Sequence, residues 1–378
     1  MTTPIYLDYA ATTPMTDTVI KVMSAAMKDH FGNASSIHQF GRASKGLLEQ
    51  ARNTLAKYIN AHPEEIIFTS GGTESDNTAL IMGACARQEK GRHIIATQVE
   101  HEAVLKPLKR LEKAGFEVTH LPVDETGALD FETFKQALRP DTILVSIMAV
   151  NNEIGTRYPI EKIGQYLKDQ DILFHTDAVQ AFGPLPIDVE AMHIDLLSAS
   201  SHKINGPKGI GILYKRRSLH LPSFMLGGDQ ETKERAGTEN IPAILGFEQA
   251  VKEMEASRSS IQEKMLELRT YLLEQLDKNG VSYKINGDLG QQVPHIINLH
   301  LPGKLAEQLL IQLDLAGIAV SAGSACTAGS VEPSHVLQSM YGANDSRLSE
   351  SIRISMGRLT TAAEIEQLAQ TLAKIMKE

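Results

Sequence analysis

Cysteine is scarce in this chain, with two residues, Cys85 and Cys326, among 378. Two cysteines build no disulfide framework, and no CxxC or HExxH spacing is present to hold zinc. Positive charge is also short: 37 Lys and Arg stand against 46 Asp and Glu, a formal net charge of −9. That balance argues against a binder of phosphate backbones, which needs a basic surface, so direct contact with nucleic acid is not expected. Long apolar runs are missing too. The stretch from Ile143 to Val150 falls far short of the roughly 20 residues that a membrane-spanning helix needs. The opening residues lack the basic start and apolar core of a secretory signal. With 42% apolar and 22% charged residues, the chain reads as a soluble protein of a reducing cytoplasm, without repeats. Its length allows one large domain or two medium ones.

Short apolar runs rich in β-branched residues recur at Ile66–Thr69, Ile94–Thr97, Val118–Leu121, Ile143–Ile147, Ile172–Phe174, Asp195–Ala199 and Ile210–Tyr214. Most lie about 25 residues apart, which suits strand–helix–strand crossovers and predicts an α/β fold around a mostly parallel sheet. After Asn240-Ile241-Pro242 the pattern turns helical, with Ile244, Phe247, Val251 and Met254, then Ile261, Met265, Leu268, Leu272 and Leu276. The polar stretch Glu255–Ser260 between them reads as a bend or hinge. Asn279-Gly280 marks a helix end. Beyond it, strands are expected near His295–Leu301 and Ser351–Ser355, and a helix near Leu305–Ala316. A last helix opens with Thr361 and Glu364 in capping-box spacing. The pattern predicts a large α/β domain over 15–257 and a smaller α+β domain over 258–378, joined by the segment 1–14.

In such sheets ligands gather at the carboxyl ends of the strands. Ser70-Gly71-Gly72-Thr73-Glu74-Ser75 follows the first strong strand and opens a helix, where free amides attract phosphate and glycine permits close approach. There is no Gly-Lys-Ser/Thr, so this is not a nucleotide P-loop; a plain strand-to-helix turn reads equally well. Asp177 ends a second strand, as an edge carboxylate or a capping residue. Lys203 follows a third, in Ser200-Ser201-His202-Lys203, as a surface lysine or as one that forms a Schiff base. A phosphate turn, an edge carboxylate and a strand-end lysine together suit pyridoxal 5'-phosphate (PLP), through its phosphate, ring nitrogen and aldehyde respectively.

These segments resemble the NifS/IscS-type cysteine desulfurases of the class V aminotransferase family. The resemblance lies in Tyr6-Leu7-Asp8-Tyr9 onward, Ser70–Asn77, His175–Gln180, Ser200–Lys203, Arg235–Asn240, Gly323–Gly329 and Ser351–Ser355, in the family's order over nearly the whole chain. It implies a PLP-dependent transferase of fold type I, aspartate-aminotransferase-like, acting as a homodimer. By resemblance, Lys203 carries the cofactor and moves the substrate proton, Asp177 pairs with the ring nitrogen and Gln180 bonds the ring hydroxyl. Gly72, Thr73, Ser200 and His202 would hold the phosphate, and Thr238 would reach the phosphate of the other subunit. His101 would stack on the ring and assist proton transfer, while Asn152 and Arg353 would hold L-cysteine, Arg353 through a two-pronged bond to its carboxylate. Read alone, His101 between Glu100 and Glu102 is a surface histidine, and Arg353 an exposed strand-face arginine.

Cys326 stands in a run of small residues, Ser321 to Gly329, too small-sided to pack a core. A loop of that kind suits a thiolate that attacks at the cofactor and delivers its cargo elsewhere. Cys85, among small apolar residues of an expected helix, reads as packing. The implied reaction converts L-cysteine to L-alanine and leaves the sulfur as a persulfide on Cys326 for an acceptor protein. Since 25 residues follow Arg353, the longer tail with which some relatives dock an iron–sulfur scaffold is not expected, and a tRNA-thiolating enzyme is an equal acceptor. The competing readings are a selenocysteine lyase, a class V aminotransferase that would not need Cys326, and a non-catalytic docking protein. The last would have lost the lysine, the edge carboxylate or the loop cysteine, and all are present.

Overall fold

The computed structural model describes residues 4–323 and 333–377. Its strands are β1 (Ile5–Tyr6), β2 (Ile66–Thr69), β3 (His93–Thr97), β4 (Glu117–Leu121), β5 (Thr142–Ser146), β6 (Leu173–Asp177), β7 (Leu196–Ser200), β8 (Gly211–Lys215), β9 (Lys284–Ile285), β10 (Ile296–His300), β11 (Ile318–Ala319) and β12 (Ser351–Ser355). Every predicted run of the first half lies in one seven-stranded sheet of order β2-β8-β7-β6-β5-β3-β4. Strand β8 pairs antiparallel with both neighbours, and the other pairings are parallel. The fold is α/β with a large, mostly parallel sheet.

The short apolar runs make sense because the sheet is covered on both faces. Alternate residues feed different cores. Ile95, Val145, Phe174, Leu197 and Ile212 join Leu48 and Leu55 of the helix Gln39–Tyr58 and Phe247 of the helix Ile241–Lys278. Their neighbours Ile94, Leu144, Leu173, Leu196 and Leu213 join Leu80, and Val104 and Leu108 of the helix Glu102–Lys113. Each such side chain taken from water contributes about 1.5–3 kcal/mol before the entropy cost of ordering.

The expected bend at Glu255–Ser260 is absent: one helix runs unbroken from Ile241 to Lys278 over 38 residues. Polarity alone does not stop a helix, and the stretch contains neither glycine nor proline. Ser257 and Arg258 are half-buried at a seam between two cores, while Glu255, Ser259 and Ser260 are exposed. Ser257 Oγ donates back to the Glu253 carbonyl at 2.6 Å, Arg258 Nε donates to the Gly183 carbonyl at 3.1 Å, and Arg358 donates to Glu253 Oε2 at 2.8 Å. The amino-terminal part of the helix packs on the large sheet. Further along, Met265, Leu268, Leu272 and Leu276 enter a separate core.

That separate core contains Ile297, Leu299, Ile352 and Ile354 from an antiparallel sheet of order β12-β10-β9. Ile5 and Leu7 belong to it as well, because β1 pairs with β11 and Asp8 bridges to Ser355. The last helix starts at the expected cap: Thr361 N donates to Glu364 Oε2 at 2.7 Å and Glu364 N to Thr361 Oγ1 at 3.3 Å. Among the described residues, no helix is long and apolar enough to cross a membrane.

Candidate active site

At the carboxyl edge of the large sheet, facing the smaller core, lies a cavity of about 310 Å³. Gly72, Thr73, His101, Asn152, Asp177, Gln180, Ser200, His202, Lys203 and Arg353 all line it, together with Ala10, Ala11, Asp76, Met148, Val150 and Val179. The chain thus gathers residues from the ends of five strands, β2, β3, β5, β6 and β7, and from segments near both termini. Two expected site residues are not among them. Thr238 is exposed, outside the cavity of its own chain, and Cys326 lies outside the described residues. Cys85 is half-buried in the short helix Gly83–Arg87.

The turn after β2 is built by its glycines. Gly71 takes φ +151°, and a methyl group on Gly72 would stand 2.6 Å from Val179 Cγ2. The helix Gly72–Asn77 then starts with its free amides at the cavity wall. Thr69 Oγ1 and Ser75 Oγ, 2.8 Å apart, tie the turn together, and Ser75 donates onward to the Ile212 carbonyl at 3.0 Å. Glu74 accepts from Ser70 N at 2.8 Å and holds Arg235 through Nε at 2.9 Å. The segment that carries Thr238 is therefore fastened to the back of the turn.

Asp177 is the last residue of β6 and its side chain is buried. Its Oδ1 accepts from Val179 N at 2.9 Å. Burial pushes its carboxyl up, while His101, the Val179 amide and Lys203 pull it down. Lys203 closes a single 3₁₀ turn after β7, and its Nζ donates to the Ala10 carbonyl at 2.5 Å and the Ala11 carbonyl at 2.9 Å. His202 lies next to it, its Nδ1 3.1 Å from Thr12 Oγ1. Burial, and then the nearby charges of Lys203 and Lys208, push His202 down to about 4, so its ring is neutral at pH 7. Gln180 Nε2 donates to the Ala10 carbonyl at 2.9 Å.

His101 is not the solvated histidine that its acidic neighbours suggest. It is the N-cap of the helix Glu102–Lys113, with Nδ1 accepting from Ala103 N at 3.1 Å. Glu100 beside it is fully buried, holding the Thr97 hydroxyl at 2.7 Å and the Met148 amide at 3.1 Å. Arg353 likewise departs from its bland reading. It is 1% exposed, donating from Nη1 to the Asn152 carbonyl at 2.8 Å and from Nη2 to Asp8 Oδ1 at 2.9 Å. Its Nε is buried and has no hydrogen-bond partner among the described residues, so the guanidinium keeps donor capacity for a ligand. The Arg353 backbone pairs with Ser321, at the head of the segment that leads to Cys326.

The residues present fit PLP. The helix start after β2 would hold a phosphate, and the buried carboxylate that ends β6 would pair with a protonated ring nitrogen. A lysine lies between them, and an under-satisfied arginine sits opposite for an amino-acid carboxylate. Motif reading missed Asp8, Asp76, Glu100 and His175. The last had a usable signal: it stands two residues before Asp177 on β6, hence on the same face of the strand.

The family profile described as aminotransferase class-V matches residues 5–368. A Bacillus subtilis relative named IscS 1 is 50% identical, with 99% of this chain and 98% of the relative covered. The cysteine desulfurase IscS of Dictyoglomus turgidum is 45% identical over 99% of this chain and 95% of its own. Among solved structures, a NifS-like protein superposes with a TM-score of 0.92 at 34% identity, covering 99% of each chain. SspA, solved in complex with cysteine, superposes with a TM-score of 0.82 at 35% identity, covering 94% of this chain and all of its own. With the edge carboxylate, the strand-end lysine and the phosphate turn gathered in one cavity, the chain belongs to the class V aminotransferase family, among its NifS/IscS-type cysteine desulfurases.

Proposed function

We propose that this protein is a PLP-dependent cysteine desulfurase that converts L-cysteine to L-alanine and passes the sulfur, as a persulfide on Cys326, to acceptor proteins. The observation that carries this reading is the cavity that unites Lys203, Asp177 and Arg353 in a chain whose relatives bear that activity. Gly72, Thr73, Ser200 and His202 would hold the phosphate, Asp177 the ring nitrogen, Gln180 the ring hydroxyl and Lys203 the aldehyde carbon. Bound there, PLP supplies an electron sink for the substrate's α-carbon.

The chain's own groups do the rest. Arg353, with Asn152, orients L-cysteine by its carboxylate, and Asp8 keeps the guanidinium aimed. Lys203 Nζ removes the α-proton within the cavity. His101, packed at the start of its helix, faces the same space and assists proton transfer. The Cys326 thiolate attacks the substrate sulfur; a sulfur–sulfur bond forms, the carbon–sulfur bond breaks with its electron pair left on carbon, and alanine leaves once that carbon has taken up a proton. Cys326 must be a free thiol in order to attack, which a reducing compartment preserves, and this supports a cytoplasmic setting. A second copy of the chain would complete each site through Thr238. The acceptor would be an iron–sulfur scaffold or a tRNA-thiolating enzyme. The two cores support a division into a large domain over 15–257 and a small domain over 258–378.

The test is Cys326→Ala. The variant should take up PLP and show its visible colour, yet produce no persulfide and no sulfide from cysteine, while the wild type yields alanine and persulfide. Sulfide release by the variant would sink the mechanism. Amino transfer to a 2-oxo acid without sulfur release would return the chain to the aminotransferases, and a protein that stays colourless with PLP would refute Lys203.

A further inference from the structure

Asp76 has no role in the mechanism above, yet it lines the same cavity. It stands four residues after Gly72 on the helix Gly72–Asn77, hence on the same face, and is 1% exposed. Its Oδ1 lies 3.6 Å from His175 Nε2 and has no hydrogen-bond partner among the described residues.

What surrounds this carboxyl sets its charge. The His175 ring is wholly buried, with Nδ1 2.8 Å from Ser146 Oγ and Nε2 3.1 Å from Ser198 Oγ. Burial pushes His175 down to about 3, so it brings no positive charge to Asp76. The Ser198 hydroxyl faces Asp76 from β7, and two acids, Asp177 and Glu100, act on it from β6 and from the start of the helix Glu102–Lys113. Glu100 is itself pushed up to about 8 by burial. Asp177 is placed differently, for His101, Lys203 and the Val179 amide all favour its ionised form.

Two buried carboxyls that line one cavity do not both stay ionised, because burial and like charge both favour a proton on one of them. The one with cationic neighbours keeps the charge. We propose that Asp76 is the proton-bearing member of a pair with Asp177, a positioning residue that leaves Asp177 as the single negative charge at the ring-nitrogen end of the cavity. The proposal deepens the cofactor reading and rests on it for its meaning in catalysis. Loss of the Asp76 proton would set a second negative charge at the same end and strengthen the hold on a protonated ring.

The first experiment uses cofactor-free protein, so that it stands apart from the PLP reading. An infrared difference spectrum of wild type minus Asp76→Asn at neutral pH should show the carbonyl stretch of a protonated carboxylic acid, lost as the pH is raised. In Asp177→Asn that loss should move to lower pH. Aspartate labelled with ¹³C should shift the band in the wild type, which keeps the assay readable even if a variant does not fold and separates Asp76 from Glu100. In the holoenzyme, the visible band of bound PLP should undergo an alkaline step that Asp76→Asn lacks. No aspartic-acid band at neutral pH, or superimposable titrations of the visible band, would overturn the proposal. A chain that shows the infrared band but stays colourless would sink the cofactor reading instead.

Discussion

Replacing Asp8 tests whether Arg353, the arginine proposed to meet the substrate, must be aimed. Asp8 Oδ1 lies 2.9 Å from Arg353 Nη2, with the two side chains 18% and 1% exposed respectively. The other anchor is the Asn152 carbonyl on Nη1 at 2.8 Å, so removal of Asp8 leaves the guanidinium one hinge to turn about. A hydrogen bond to a charged group in such surroundings contributes about 1.5–3 kcal/mol. If Asp8→Ala spends that loss on the alignment of Arg353, KM for cysteine should rise about 10–100-fold with kcat nearly kept, the pattern of an interaction equal in ground and transition states. Asp8→Asn keeps an acceptor oxygen and removes only the charge. It leaves the guanidinium less neutralised, which favours the incoming carboxylate, so its KM should rise about threefold or less. Alanine release against cysteine concentration reads both, with the visible PLP band as the control for an intact site. A wild-type KM in Asp8→Ala with the band intact would refute the reasoning, as would a fall confined to kcat.

Gly72→Ala would set a methyl group 2.6 Å from Val179 Cγ2. Overpacking of this kind costs about 1–3 kcal/mol, so PLP titrated into the cofactor-free variant should bind ~10-fold more weakly, and unchanged binding would detach the turn from the phosphate. Glu100 supplies a pH test. Its folded carboxyl, raised to about 8, holds a proton that the unfolded chain releases in the ordinary carboxylate range, so stability is lost as pH rises through that window. The urea midpoint of Glu100→Gln should therefore fall less steeply than wild type from about pH 5 to about pH 8, and parallel curves would contradict the burial argument. Leu7 and Leu309 are both 0% exposed in the smaller core. Leu7→Ala and Leu309→Ala should each lose about 2–5 kcal/mol of stability in urea unfolding, but only Leu7→Ala should also weaken PLP binding, because Leu7 adjoins the site segment.

Much of this was legible in the chain because local rules and the fold agree. Strands of a covered sheet carry apolar residues on both faces, so β2, β3 and β5 through β8 announced themselves as runs. Asp177 and Lys203 were found because ligands meet such sheets at their carboxyl edge. Other features depend on contacts that no local window contains. The Arg353–Asp8 pair joins residues 345 positions apart. Glu100-His101-Glu102 has the composition of a solvated turn, and only packing under Met148 and the helix cap reveals one buried acid and one fixed imidazole. Glu255–Ser260 misled for the converse reason: a polar stretch ends a helix only where something breaks it, and here it spans two cores.

The segment from Asp8 to Thr13 explains why the site needs both cores at once. Residues 5 and 7 are fixed in the smaller core, whereas the next residues reach across the cavity. Asp8 steadies Arg353, the Ala10 carbonyl receives Gln180, and the Ala10 and Ala11 carbonyls together receive Lys203. Thr12 meets the His202 ring, and Thr13 Oγ1 donates to the His202 carbonyl at 2.8 Å. One short segment, turned at residues 9–11, thus touches the groups assigned to the ring hydroxyl, the aldehyde, the phosphate and the substrate carboxylate. Half of these contacts run through the main-chain carbonyls of Ala10 and Ala11, and the rest through the side chains of Asp8, Thr12 and Thr13. Motif reading passes over such a segment because carbonyls are common to every residue, and their value here comes from position alone. A shift of the smaller core would move this segment and with it the seats of Lys203 and Arg353 together, so lysine and substrate anchor stay in register without a direct bond between them.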